Sequence, residues 1–560
     1  MLKRAILVIA VLALAAPLAA SAGSGGSKSG STQSTGVLAP ALEAAAAQNP
    51  NSTVPVIVLS DDGAAQAEKA LDKVSDDEST KLDIVDAAAG SVRAGDLRKL
   101  AKDSKLDVIP DEPVVLDSLH GWGRRFDRHD NGWHDHKPQK PKPNAPAFSS
   151  SELWPSAVGV DQLWQQLADR RGAAAPSIAF VDSGIDASRS DFAGRVLAQV
   201  DLTSLPGNSR GDGRGHGTLV AGLAAGSAPG HAGAAPTAGI VSLDVMDDQG
   251  MARTSDVIEA AQWILKNHDR YGIRVANFSL HSSTPSSFRW DPLDKAIEKL
   301  WFSGVVVVTS SGNYGVPGKR QPVAFAPAND PFAITVGALD IGNSTSPDRA
   351  TVAPWSVSGY TLDGFAKPEV SAPGRNLVGP IPADSTLAQE RPGQLIRTPN
   401  GTYVKLSGTS LSAPIVAGLA ADILALHPHF TPDQVKGALM VSARPVRHAR
   451  IPEAGVGEVY APGATALTTA PNPNLALERF LIDDHGLPTF DGDAWVAAAK
   501  ASNSWDSVSW LDGWSSAAWS DVSWSDVSWS DVSWSDVSWS DVSWADVSWA
   551  DTLDAYGDVG

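Results

Sequence analysis

Apolar positions follow three regimes along the chain. A run from Ala5 to about Ala19 follows the basic pair Lys3-Arg4 and ends in the small triplet Ala20-Ser21-Ala22, the pattern of a secretory signal peptide cut after Ala22. Gly23 to Gly36 is almost wholly Gly, Ser and Thr, so 23–49 reads as a flexible linker with order resuming near Pro50. From Val54 the pattern predicts a strand (VPVIVLS), a helix (Ala64–Val74), a strand (Lys81–Ala87), a helix (Ala94–Asp103) and a strand (Leu106–Ile109), a small α+β unit over 50–116. The third regime, 151–465, alternates β-rich apolar runs with helical stretches. Strands are predicted at Ser177–Val181, Gly239–Val245, Arg274–Leu280 and Gly304–Ser310, and helices at Gly217–Gly226, Thr254–Asn267, Pro292–Ser303 and Ser410–Leu426. The runs Ile178–Val181 and Val305–Val308 are continuous rather than alternating, as in strands covered on both faces, so an α/β fold with a parallel sheet and helices on both faces is expected.

Between these units, 117–150 is a basic, Pro-rich connector holding four of the twelve histidines. His134-x-His136 beside Asp135 has metal-ligand spacing, but histidines in polar linker text more often reflect solvated composition than a rigid site. No segment after the signal peptide is expected to reach the length of a membrane span. Residues 466–504 read as a linker, and 505–560 as a repeat tail.

Composition narrows the chemistry. The chain contains no cysteine, which removes disulfide scaffolds, thiolate metal sites and cysteine nucleophiles together. The formal charge is −19, and 501–560, with eleven Asp and no Lys, Arg or Glu, carries −11 of it. An acidic chain does not neutralise phosphates, so nucleic acid is excluded as a partner.

Three motifs place candidate chemistry in the order Asp, His, Ser. AFVDSG ends a predicted strand at Asp182, GRGHGTLVAG puts His216 between glycines at a helix start, and SGTSLSAP does the same for Ser410. Singly these read as a turn residue, a loop and an N-cap. Together they supply a hydroxyl, an imidazole to take its proton and a carboxylate to fix the imidazole tautomer. Asn313 in TSSGNYG adds a side-chain amide that can donate to an oxyanion, with the Ser410 N–H as second donor.

At VDSGID, GHGTLVAG, SSGN and GTSLSAP, with supporting text KPEVSAPG at 367–374, the chain resembles the subtilisin-like serine peptidases (family S8, the subtilases). The resemblance spans Val158 to about Ala464 and implies a serine endopeptidase acting on proteins or peptides. In it Asp182 orients, His216 is general base and then acid, Ser410 attacks, and Asn313 stabilises the oxyanion. It places substrate against Ser279, Leu280 and His281 on one side and Ser310, Ser311 and Gly312 on the other. The family commonly has Gly where His281 stands, so a large titratable ring beside the groove is expected to narrow subsite preference or make it pH-dependent. The 50–116 unit then resembles an inhibitory, ferredoxin-like propeptide whose last segment, LDVIPDEP, lies along the active site. Self-processing is expected between about Val115 and Pro146. No cofactor is required. Calcium is common among relatives and stays possible here, but Gly213–Leu243 holds no Asp or Glu, so no site is expected in the loop after the His helix, and those elsewhere stay open with none assignable.

From Trp505 onward tryptophan recurs nearly every five residues, in units of Ser/Ala-Asp-Val-Ser-Trp from Ser520. A period of five matches neither a strand face nor a helix face. One reading is a pentapeptide-type β-solenoid of fewer than two coils. The other, favoured because exposed Trp at this density marks contact, is an acidic aromatic segment that takes up order on a cell surface or polysaccharide. The expected location is extracellular, with cell-surface association through the tail. Against the peptidase reading stands an inactive peptidase fold that binds through this tail, and the intact Asp182, His216, Ser410 and Asn313 disfavour it. A lipase of the α/β-hydrolase kind is disfavoured by the motif order and by the absence of Gly-x-Ser-x-Gly around Ser410.

Overall fold

All six residues of the strand Ser177–Asp182 are buried, as a strand covered by helices on both faces requires. The computed structural model describes residues 37–116 (except 76), 148–169, 175–317, 321–447, 449 and 452–501 (except 485). The signal peptide, most of the first linker, nearly all of the connector and the tryptophan tail lie outside the described residues.

The first unit has β1 (Thr53–Ser60), a helix at Ala64–Leu71, β2 (Thr80–Leu82), β3 (Ala87–Arg93), a short helix at Leu97–Leu100 and β4 (Leu106–Pro110). Its antiparallel sheet runs in the order β2-β3-β1-β4, the split arrangement of a βαββαβ unit. Two sequence readings change here. The strand read at Lys81–Ala87 is only three residues long and is followed by a 3-10 turn, while the central strand is Ala87–Arg93, whose Ala-Ala-Ala-Gly start lacks the bulky alternation that marks strands. The linker read as far as residue 49 also shortens: Pro40–Gln48 is a helix with Leu42 buried in this unit's own core alongside Val56, Leu71 and Val108.

The chain then crosses into the main domain as β5 (Pro113–Leu116). The main sheet contains β6 (Ser177–Asp182), β7 (Val196–Asp201), β8 (Ile240–Asp244), β10 (Ile273–Phe278), β12 (Val306–Ser310), β13 (Ile334–Asp340) and β14 (Thr351–Val352), in the order β14-β13-β12-β10-β6-β8-β7, with Val370–Pro373 also pairing with β13. All pairs are parallel except β13–β14. The predicted strand Arg274–Leu280 is interrupted at Ser279: β10 stays in the sheet, and β11 (Leu280–Ser282) leaves it to face β5. A second short strand, β9 (Met251–Arg253), flanks β5 on its other side.

The helix Thr409–Leu426 packs against this sheet. Its eighteen residues have mean hydropathy 1.6, long and apolar enough by length and composition to cross a membrane, contrary to the sequence expectation for later segments. Its residues are buried inside the protein, 89% of them, as the central helix of an α/β core. In KPEVSAPG, Glu369 pairs with Lys367 at 2.7 Å and with Lys436 of the helix Pro432–Ser442 at 2.9 Å, all fully buried, and burial pushes the Lys367 amine down to about 8. That motif anchors the sheet rather than the chemistry.

Of the segment read as a linker over 466–504, the described residues to 501 are folded. Leu481–Asp484 and Leu487–Phe490 form a hairpin, followed by a helix at Gly492–Ala501. Phe490 and Trp495 are buried in the main core, with Trp495 stacked on Phe365 at 5.5 Å and edge-on to Phe288 at 5.9 Å. Their apolar signal is two residues in polar text, too sparse to mark burial by periodicity. Trp495→Ala is expected to cost about 3–5 kcal/mol of stability, the range for emptying a buried large aromatic site. Denaturant unfolding in a Ser410→Ala background reads this without interference from proteolysis, and a cost below about 1 kcal/mol would show that this segment does not belong to the core.

Candidate active site

Asp182 is the last residue of β6, at the carboxyl edge of the sheet where ligands of open α/β folds collect. His216 is the first residue of the helix His216–Ala225. The glycines around it are required by close approach. A Cβ at Gly217 would lie 2.1 Å from the Gly184 carbonyl oxygen, and Gly215 has φ +91° with a Cβ site 2.4 Å from Ser385 Oγ. Only chain without side chains lets the Asp and His motifs meet. His216 Nδ1 then stands 2.8 Å from Asp182 Oδ1, both residues 1% exposed. Asp182 Oδ1 also accepts the Ser183 N–H at 2.8 Å, which fixes the carboxylate plane. With Asp182 accepting, the imidazole proton sits on Nδ1 and leaves Nε2 as the basic nitrogen.

Ser410 is the second residue of the Thr409–Leu426 helix, among the N–H groups that lack intrahelical partners. Its position is set from two sides. The Ser279 hydroxyl donates to the Ser410 carbonyl at 2.9 Å, and Asn313 Oδ1 accepts from the N–H and hydroxyl of the preceding Thr409 at 2.9 and 3.1 Å. Because the Asn313 oxygen is taken by Thr409, its Nδ2 is the end left to donate. Ser410 Oγ, His216 Nε2 and Asn313 Nδ2 are all buried without a hydrogen-bond partner among the described residues. Three such atoms in one site are costly unless a substrate completes them. A Ser–His contact looser than a hydrogen bond is common before substrate binds.

The sequence reading missed Asp212. Its carboxylate accepts from Gly215 N at 2.6 Å, Thr218 N at 2.7 Å and the Ser183 hydroxyl at 2.9 Å, and Ser183 Oγ in turn accepts from Gly217 N at 3.0 Å. It ties the loop before His216 to the Asp182 strand, and burial pushes it up to about 7. The signal was local: an Asp three residues before Gly215, at the spacing of a capping carboxylate. Asp244, opposite Asp182 in the adjacent strand, is pushed up to about 8, also by burial.

The groove candidates divide. Ser279 touches the nucleophile's own backbone, and His281 is partly buried at the groove. Leu280 turns its side chain into the core and offers only backbone. Ser310 and Ser311 are buried at the end of β12, and Gly312, with φ +107°, donates its N–H to the Thr409 hydroxyl at 3.2 Å. The chain's own strand β5 pairs along the groove with Leu280–Ser282. The occupying segment also differs from the expectation. LDVIPDEP supplies β4 and the crossing, and it is β5, Pro113–Leu116, that fills the gap between β11 and β9. Asp111 cannot continue into the groove because it caps the helix Thr254–Tyr271, accepting from Ser255 N at 2.9 Å and Ser255 Oγ at 2.7 Å. Among the described residues, no three His, Asp or Glu side chains gather closely enough to hold a metal ion.

Residues 173–474, over half of the chain, match the sequence model of the subtilase family. The chain belongs to that family. Subtilases are serine-type hydrolases, and the motif region matched here holds the buried Asp182–His216 pair. This subtilase is 33% identical over 272 residues to the serine protease AprX of Bacillus subtilis (strain 168), a match covering 47% of this chain and 60% of that protein. It is 34% identical over 268 residues to subtilisin of Bacillus pumilus, covering 48% and 82%. The first curated relatives are thus matched over about 60% of their length. Among solved structures, fervidolysin from Fervidobacterium pennivorans, a keratinolytic enzyme related to subtilisin, shares the fold with a TM-score of 0.54 at 23% identity, covering 74% of this chain and 61% of that one.

Proposed function

We propose that this subtilase is a secreted endopeptidase that hydrolyses peptide bonds in proteins through an acyl-enzyme. The observation that carries the reading is the buried Asp182–His216 pair at 2.8 Å, in a chain whose Ser410 Oγ, His216 Nε2 and Asn313 Nδ2 are each buried without a partner among the described residues. Ser410 Oγ attacks the scissile carbonyl carbon while its proton passes to His216 Nε2, and Asp182 stabilises the imidazolium through Nδ1. The oxyanion is held by Asn313 Nδ2–H and the Ser410 N–H. Collapse breaks the C–N bond, and the amine leaves with the proton from His216. Water then attacks the ester with His216 again as base, releasing the acid and restoring Ser410.

The 37–116 unit is read as an inhibitory propeptide. Its β5 lies in the groove as an added strand, and Ile57, Leu82, Ile84, Ala89, Val114 and Leu116 are buried with the main core. Gln262 seals the contact, accepting from Ile84 N and donating to the Lys81 carbonyl, each at 3.1 Å. A groove filled by the chain's own strand excludes substrate until that strand is cut. Self-processing in the connector, and surface contact through the tryptophan tail, complete the proposal.

Hydrolysis of denatured casein by the processed protein, abolished by a fluorophosphonate that labels Ser410, tests the activity. Casein left intact by a protein with its groove cleared would refute it. Asn313→Ala is expected to lower kcat about 10²–10³-fold with KM nearly unchanged, because its amide meets charge that exists only in the transition state. A loss in KM instead would place Asn313 in ground-state binding.

A further inference from the structure

Which side chain the cleft admits next to the scissile bond follows from the register of β5, given the peptidase reading on which this inference rests. Leu116 is opposite Leu280, Val115 opposite His281 and Val114 opposite Ser282. A chain running in this direction next reaches Ser279, whose hydroxyl holds the Ser410 carbonyl. The residue opposite Ser279 is therefore the acyl donor. Side chains alternate along a strand, and directly opposed residues share a face. The acyl donor's side chain thus falls on the face of Val115 and His281, away from the buried face of Val114, Leu116 and Leu280.

On that face three rings meet. Ring centroids are 5.4 Å apart for His281 and Phe325, 5.9 Å for His281 and Tyr314, and 5.1 Å for Tyr314 and Phe325. These are contact distances for aromatic pairs, so no side chain fits between them. Tyr314 follows Asn313, and its ring lies over Gly312, where a Cβ would be 2.5 Å from Tyr314 Cε1. The Tyr314 hydroxyl donates to the Pro322 carbonyl at 3.3 Å. Phe325 is held through its neighbour Ala326, which accepts from Ser282 N at 2.8 Å and donates to Ser282 Oγ at 3.1 Å. One ring comes from the substrate strand, one from the oxyanion loop and one from the segment behind both. The Tyr314 ring thus contacts both His281 of β11 and Gly312 of the oxyanion loop.

We propose that His281, Tyr314 and Phe325 form a wall that closes the side-chain pocket of the acyl-donating residue, so that this enzyme cleaves after small residues such as Ala, Ser and Gly and rejects Phe, Tyr and Leu. A large side chain must displace a ring that is packed on two others, and overpacking of such a site is costly. Hydrophobic pockets discriminate by about 10- to 200-fold per methylene-sized misfit, so a whole phenyl ring is rejected at least at that level.

The test uses the nitroanilides of Val-Val-Leu-Ala and Val-Val-Leu-Phe, whose first three residues copy Val114–Leu116. Wild type is expected to favour the Ala substrate in kcat/KM by at least about tenfold. Tyr314→Gly and Phe325→Gly are each expected to raise hydrolysis of the Phe substrate and shift the ratio toward Phe by about tenfold or more. A gain on one substrate cannot come from misfolding, and fluorophosphonate labelling of Ser410 counts the active sites in each preparation. Wild type that cleaves after Phe as well as after Ala, or variants whose ratio stays put, overturns the wall while leaving the peptidase reading intact. Failure to cleave either substrate with Ser410 unreactive overturns both.

Discussion

Ser410→Ala is expected to lower kcat by about 10⁶-fold, the loss known for removing the nucleophile in subtilisin. The mechanism leaves no substitute. The Ser279 hydroxyl is committed to the Ser410 carbonyl, and the Thr409 hydroxyl lies at 3.1 Å from Asn313 Oδ1. The residual rate is that of binding and oxyanion stabilisation alone. The same substitution reads maturation. Intact mass of the secreted wild type is expected to lack residues 23 to about 146, while Ser410→Ala keeps them. Equal full-length masses would mark a latent or inactive fold. Equal shortened masses would assign the trimming to another protease, and would leave self-processing refuted while activity is read on peptides.

Asp182→Asn is expected to cost about 10⁴-fold in kcat near neutral pH with little change in KM. An amide at this position can present its NH₂ to His216 Nδ1, which moves the imidazole proton to Nε2 and removes the base from Ser410. Packing hardly changes, since Asn and Asp have the same shape and Oδ2 of Asp182 has no partner to lose among the described residues. Unfolding of the variant should therefore match wild type to within about 1 kcal/mol, the worth of a single hydrogen bond. A fall in stability of several kcal/mol, or a loss in kcat below tenfold, would make Asp182 a structural carboxylate rather than the orienting one.

The proposed catalytic quartet was legible because each member sits in a short motif whose flanking residues are themselves demanded by geometry. Gly215 and Gly217 around His216 are the clearest case. The parallel sheet was legible from runs such as Ile178–Val181, since a strand covered on both faces has no polar positions to alternate. Strands without that signature were missed or misplaced: β3 opens on Ala-Ala-Ala-Gly, and β7 at the sheet edge alternates exposed and partly buried residues.

The sequence by itself therefore determined the fold class, the family and the four residues proposed to carry the chemistry, because those depend on local motifs and on periodicity. Tertiary structure alone decided the rest. That β5 and not LDVIPDEP fills the groove depends on Asp111 reaching Ser255, 144 positions away. That 466–501 is folded depends on Trp495 packing on the Phe288–Phe365 ring pair, which is assembled only when the main domain has formed. That His281 sits against Tyr314 and Phe325 depends on three segments that share no local pattern. Contacts of this kind are set by packing between distant elements, and packing leaves no periodic trace in either partner.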